Sequence, residues 1–239
     1  MSVREAADAL AVGGLQPFTT IDYPGALAAV VFVQGCAWRC PYCHNPHLQA
    51  PAGVAVDDPS WTGLRPWLAR RARVLDALVF SGGEPTLDPA LPAAMCEARA
   101  LGYRIGLHTA GMSPRRLQAV LPLVDWVGLD VKAPLDDGAL HDRLTGVRGA
   151  ASAVSASLDA LLASGVAHEC RTTLHASLLM DGALERVVAQ LAERGVARHA
   201  LQACRAVGDY PATSATWPEA SMLAALTARH PTLVLRPAA

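Results

Sequence analysis

Six short apolar runs, each followed by a longer polar–apolar segment, constrain this chain more than any other feature. The runs cover residues 28–33, 77–80, 103–107, 126–131, 168–174 and 200–203, and they read as buried strands. Residues 232–235 are a candidate seventh. Between them, residues 91–101, 114–121, 153–164 and 183–194 carry amphipathic helical patterns. Several stop at glycine, as at Gly102, Gly165 and Gly195, which suits a helix C-cap. Strands alternating with helices of this length predict βαβ units around a parallel sheet. Six units make an α/β fold of the partial (β/α)6 TIM-type barrel kind, with a doubly wound open sheet as the alternative. The 239 residues suit one domain. It divides into an N-terminal segment 1–26, a barrel core 27–205 and a C-terminal helix with a possible edge strand over 206–239.

Composition narrows the function. Hydrophobic residues make up 52% of the chain, charged residues 17%, and the net charge is −1. That is not the basic footprint of a nucleic-acid binder. No apolar run approaches the roughly eighteen residues of a membrane span. Residues 1–11 lack the basic-then-apolar order of a signal peptide. The expected location is the cytoplasm, with no nucleic-acid or membrane partner. Of six cysteines, Cys36, Cys40 and Cys43 fall together, and in the cytosol such a group points to metal or catalysis more than to disulfides. Cys96, Cys170 and Cys204 lie in apolar surroundings and read as buried small hydrophobes.

The unusual residues gather at strand exits. After the first strand comes Gln34-Gly35-Cys36-Ala37-Trp38-Arg39-Cys40-Pro41-Tyr42-Cys43-His44-Asn45. Later strands end in Ser81-Gly82-Gly83-Glu84-Pro85, His108-Thr109-Ala110-Gly111, Asp130-Val131-Lys132 and Arg171-Thr172-Thr173, and the sixth near Gln202 and Arg205. In a parallel barrel these ends share the face on which active sites are built. Asp130 and Lys132 flank Val131 and point to one side, so each needs the other or a ligand. Arg171, in a strand core, needs an anionic partner.

A C-x3-C-x2-C spacing can wrap one corner of an iron–sulfur cubane, which ordinarily takes four thiolates. Three protein ligands leave one iron open to a chelating small molecule. Two rivals stand beside this reading. Cys40-Pro41-Tyr42-Cys43 alone would pass for a dithiol redox site, although Cys36 then has no role. Cys36, Cys40, Cys43 and His44 form a nominal zinc set, although His44 adjoins Cys43 and joint tetrahedral ligation is sterically awkward.

With its context, the motif resembles the radical S-adenosylmethionine (SAM) superfamily, whose hallmark is C-x3-C-x-aromatic-C, the aromatic here being Tyr42. The resemblance implies a partial TIM barrel, a 4Fe–4S cluster on Cys36, Cys40 and Cys43, and SAM on the fourth iron. One electron then yields a 5′-deoxyadenosyl radical. It makes the three cysteines and Lys132 the catalytic candidates. It assigns Tyr42, His44, Gly82, Gly83, Glu84, Asp130, Lys132 and Arg171 to cofactor binding, with Gly82-Gly83-Glu84 at SAM's methionyl amine. Trp38 is expected as a lid over the cluster.

Thr19-Thr20-Ile21-Asp22-Tyr23-Pro24-Gly25, Phe32 through Pro46, and Arg171-Thr172-Thr173-Leu174-His175 followed by Leu201-Gln202 narrow the resemblance further. They are similar to activases of glycyl radical enzymes, most of all the activating proteins of anaerobic ribonucleoside-triphosphate reductase. The implied partners are that reductase and a flavodoxin or ferredoxin electron donor. His108-Thr109-Ala110-Gly111 departs from the Asp-Thr-Asn-Gly of those activases, which leaves Thr109 a backbone role. His141, His175 and His199 are expected to be solvated or core-satisfied. The alternatives are a radical SAM enzyme acting on a small molecule, such as a deazapurine-forming synthase, and a cluster-bearing electron-transfer or binding module.

Overall fold

The computed structural model describes residues 2–51, 59–206 and 217–237. Eight strands form one sheet in chain order: β1 (Val12–Thr19), β2 (Ala28–Val33), β3 (Ala77–Gly82), β4 (Arg104–Thr109), β5 (Trp126–Asp130), β6 (Ala167–Leu174), β7 (His199–Ala203) and β8 (Leu233–Arg236). From β2 to β8 every neighbouring pair is parallel, and β1 pairs antiparallel with β2. Among the described residues β1 and β8 do not pair, so the sheet is an open, partial barrel of the TIM type. Helices α2 (Trp61–Arg71), α3 (Leu91–Ala100), α4 (Pro114–Val120), α5 (Gly138–Thr145), α6 (Ala150–Ser164), α7 (Ala183–Glu193) and α8 (Ala220–Arg229) make the crossovers, and a short α1 (Val3–Ala7) precedes β1. No helix among the described residues is long and apolar enough to cross a membrane.

The near-continuous apolar character of the strands follows from burial on both faces. In β2, Ala29, Val31 and Val33 pack outward against the helices, while Ala28, Val30 and Phe32 face the lumen. Ala77, Val79, Tyr23 and Trp126 fill the lower lumen beside them. Tyr23 packs on Trp126 with ring centroids 5.6 Å apart, so the loop between β1 and β2 closes the barrel floor. Glu169 on β6 is buried and takes Arg198 at 2.7 Å and Arg236 of β8 at 2.9 Å, which ties β8 to β6 across β7.

The sequence pattern placed β2 and β3 through β8 to within a residue or two at each end. It missed β1, whose two glycines and Pro17 argue against a strand. An edge position tolerates them: the β1–β2 register shifts twice, between Val12 and Gly14 and between Gln16 and Thr19. It also missed α2, which contains Pro66, and the short α5, capped by Asp137 at its start and by left-handed Gly146 at its end.

Candidate active site

One cleft at the C-terminal ends of the parallel strands gathers most of the predicted residues. Its cavity volume is about 210 Å³. Cys36, Cys40, Tyr42, Cys43 and His44 border it from the cysteine loop, Gly82 and Gly83 from the β3 exit, and Asp130, Lys132 and Arg171 from the β5 and β6 exits. Trp38 is buried against the cysteine loop and also borders the cleft.

The cysteine loop is held by its backbone. Gly35 N–H donates to Leu48 O (2.9 Å), and Cys43 N–H to Cys40 O (3.1 Å). Gln34 Nε2 donates to His47 O (3.1 Å) and Ala50 O (2.9 Å). The β3 exit packs directly on this loop: Gly83 N–H donates to Val33 O (2.9 Å) and Glu84 N–H to Gly35 O (2.8 Å). A Cβ on Gly83 would overlap the Gly35 and Leu48 carbonyls, and one on Gly82 the backbone of Val33. Both glycines are therefore required by the protein's own backbone, in addition to any space they leave for a ligand.

Glu84 does not line the cleft. It is buried, and its carboxylate is fully engaged from within. Oε1 accepts from Thr86 N (3.1 Å), Thr86 Oγ1 (2.6 Å) and Thr109 Oγ1 (2.7 Å), and Oε2 from Ala110 N (2.8 Å). Burial pushes its pKa up, and these donors oppose the shift. Glu84 thus joins the glycine turn to the β4 exit. Thr109 has more than a backbone role, since its hydroxyl bonds Glu84 and accepts from Gly111 N (3.0 Å).

The charged wall has three members. Asp130 Oδ1 accepts from Arg171 Nε (3.1 Å) and Oδ2 from Lys132 Nζ (3.3 Å). Burial alone would raise the Asp130 pKa; Lys132 and Arg171 outweigh it and hold the carboxyl below its ordinary value. Burial likewise opposes the charge on Lys132, but Asp130 beside it drives the pKa up. Two cations against one anion leave a surplus positive charge facing the cleft. Lys132 Nζ also sits 5.8 Å from the Tyr42 ring centroid, at the edge of cation–π range.

Sequence reasoning left out two histidines of this site. His175 stacks on Tyr42 at 4.7 Å, and its Nε2–H donates to Lys132 O (3.2 Å). His108 borders the cleft, stands edge-on to Trp126 at 5.6 Å, and donates from Nε2 to Asp22 O (2.8 Å). Their positions at strand exits were the available signal. Gln202 borders the cleft; the Arg205 N–H donates to His44 Nε2 (3.3 Å) and tethers the β7 exit to the cysteine loop.

Burial pushes the Cys36 thiol up to about 11 and raises Cys40. Three thiols bordering one cleft, with two cations among its lining residues, fit a cluster whose irons take one thiolate each.

Fold and site together define an enzyme built on an open half-barrel, with a cysteine-lined cleft at its strand ends. The sequence model of the Radical SAM superfamily matches residues 30–195. The chain belongs to that superfamily, whose members use a 4Fe–4S cluster and SAM. It is 35% identical over 131 residues to a Methanocaldococcus jannaschii protein provisionally named a glycyl-radical enzyme activating enzyme, covering 52% of this chain and 51% of that one. It is 32% identical over 133 residues to the pyruvate formate-lyase-activating enzyme of Clostridium pasteurianum, covering 53% and 54%. The chain thus spans about half the length of these curated relatives. The crystal structure of QueE from Escherichia coli shares the fold, with a TM-score of 0.60 at 16% identity over 96% of this chain and 93% of that one.

Proposed function

We propose that this radical SAM enzyme installs a glycyl radical on a partner protein, an anaerobic ribonucleoside-triphosphate reductase. Two relatives carry activating-enzyme names. The observation that carries the reading is the loop with the activase-like pattern: Thr19–Gly25 forms the barrel floor, and its Asp22 carbonyl holds His108 at the base of the cleft. The Thr19 hydroxyl donates to Asp22 (2.6 Å) and fixes the loop's bend. The residue pattern that resembles activases thus has a structural task directly beneath the reacting groups.

In this reading Cys36, Cys40 and Cys43 hold the cluster. When bound, the cluster would supply the one electron for reductive cleavage of SAM. Lys132 and Arg171, with their surplus charge, bind the SAM carboxylate, and Asp130 aims them. Gly82 and Gly83 keep the β3 exit close to the cysteine loop, and Tyr42 and His44 border the cleft that would take SAM. Glu84 acts through Thr109 and Ala110 as a positioning residue. The buried lumen below the cleft excludes water from the radical.

The test is anaerobic incubation of the reconstituted protein with SAM, a chemical reductant and the anaerobic reductase of the same organism. The expected result is 5′-deoxyadenosine together with a glycyl doublet in the electron paramagnetic resonance spectrum of the reductase. Deoxyadenosine without that doublet would move the substrate to the small-molecule class. No deoxyadenosine at all would leave a cluster-bearing electron carrier.

A further inference from the structure

Thr173, Gln202 and Arg236 stand in one row across the last three strands, Thr173 in register with Gln202 and Gln202 with Arg236. Thr173 and Gln202 border the cleft. Arg236 is fixed by the buried Glu169 carboxylate, which its two terminal nitrogens reach at 2.9 and 3.0 Å. Its Nη1 also donates to Gln202 Oε1 (3.2 Å). The Gln202 oxygen is thereby engaged from β8, and the amide nitrogen is the end left for a ligand. Among the described residues neither that nitrogen nor the Thr173 hydroxyl has a hydrogen-bond partner.

The charged groups of the cleft have other work. Lys132 and Arg171 carry its surplus positive charge, and Asp130 is spent on both. The Thr173–Gln202 pair is uncharged and suits a neutral polar group. An amide nitrogen beside a hydroxyl matches a peptide group: the C=O accepts from Gln202 Nε2, and the N–H donates to Thr173 Oγ1. An apolar ligand would leave both side chains unpaired, which is costly in an enclosed cleft. β7 is also one strand from the open edge of the sheet, the side from which a loop of a large partner can reach the strand ends.

We infer that Thr173 and Gln202 bind a backbone peptide group of the protein substrate beside its reacting glycine, with Arg236 positioning the Gln202 amide. The inference rests on the proposed glycyl-radical reaction and adds where the substrate backbone is held. Recognition through the backbone suits glycine, which offers no side chain to grip. The purine edge of SAM presents the same donor and acceptor pair, so the test separates the two sources.

The experiment measures the initial rate of glycyl-radical formation against the concentration of the anaerobic reductase, with reconstituted holoenzymes. Gln202→Leu removes the donor. Gln202→Glu also lacks an N–H but keeps the size and the Arg236 contact, so it reads the same loss if the leucine variant misfolds. Both should lower kcat/KM for the reductase at least about tenfold. Thr173→Val should lower it in the same way, and Thr173→Ser should restore it. Arg236→Leu leaves Glu169 paired with Arg198 and should lower kcat/KM through a loosened amide, whereas Arg236→Lys keeps a donor and should stay near wild type. The SAM-induced rise in melting temperature should match wild type throughout. A kcat/KM within about twofold of wild type in both Gln202 variants would overturn the inference. So would loss of the SAM-induced shift in them, which would give the amide to the SAM purine. A wild type that makes 5′-deoxyadenosine but no glycyl doublet would instead strike the proposed reaction, and the inference with it.

Discussion

At the scale of single residues, two contacts set opposite expectations for neighbouring parts of the site. Gly83 lies against the Gly35 carbonyl, so Gly83→Ala must push the β3 exit and the cysteine loop apart. The expected cost is about 1–3 kcal/mol of stability, with a fall in iron bound after reconstitution. Gly14→Ala is the control, since its Cβ would meet Phe32 at an ordinary 3.6 Å. Iron content and thermal melts check both. The charged wall behaves differently. Lys132→Met leaves Asp130 paired with Arg171, so stability should fall by less than about 1 kcal/mol. SAM should then raise the melting temperature less than in wild type, because a ligand's stabilisation grows with the logarithm of its affinity. Asp130→Asn strands two cations. A fully buried pair would cost more, but Asp130 is 31% exposed, so about 2 kcal/mol is expected. Equal SAM-induced shifts in wild type and Lys132→Met would make the lysine purely structural.

At the scale of elements, the C-terminal strands carry a pH dependence. His199 on β7 is fully buried; its Nε2–H donates to Thr172 Oγ1 (2.9 Å) on β6, whose hydroxyl donates to Val131 O (2.9 Å) after β5. Burial, with His230 adding to it, pushes the imidazole down to about 3. Its folded pKa therefore lies below the unfolded value of about 6.5. The stability from the neutral ring is complete above about 6.5 and is lost as pH falls toward 3, by about 1.4 kcal/mol per pH unit. Denaturant melts at pH 7.0 and 5.5 should show the wild type losing about 1.3 kcal/mol more than His199→Gln, which keeps a donor but does not titrate. Equal losses would show that the ring is not the titrating group. The elements themselves were legible wherever periodicity is a local property. The parallel strands announce themselves as apolar runs, because burial on both faces leaves no alternation to read. β1 was illegible: the allowance for Pro17 and two glycines comes from its place at the sheet edge, which no local pattern encodes.

At the scale of the whole molecule, the open barrel brings strand exits that are far apart in sequence onto one rim, and the β1–β2 loop seals the floor. The amino-acid sequence alone determined the cluster motif, the parallel architecture and the strand ends at which Asp130, Lys132 and Arg171 stand. Spacing along a loop and alternation along a strand are fixed by covalent geometry, so they survive without knowledge of partners. What Glu84 does was decided only in three dimensions. The sequence offers a carboxylate after two glycines; the fold buries it and surrounds it with donors from Thr86, Thr109 and Ala110. The same holds for Gly83, required by a carbonyl of the cysteine loop, and for His175, which reads as an ordinary core histidine until β6 sets it against Tyr42. Each of these depends on how strands register across the sheet and how loops meet above it, and those distances exist only once the barrel has formed.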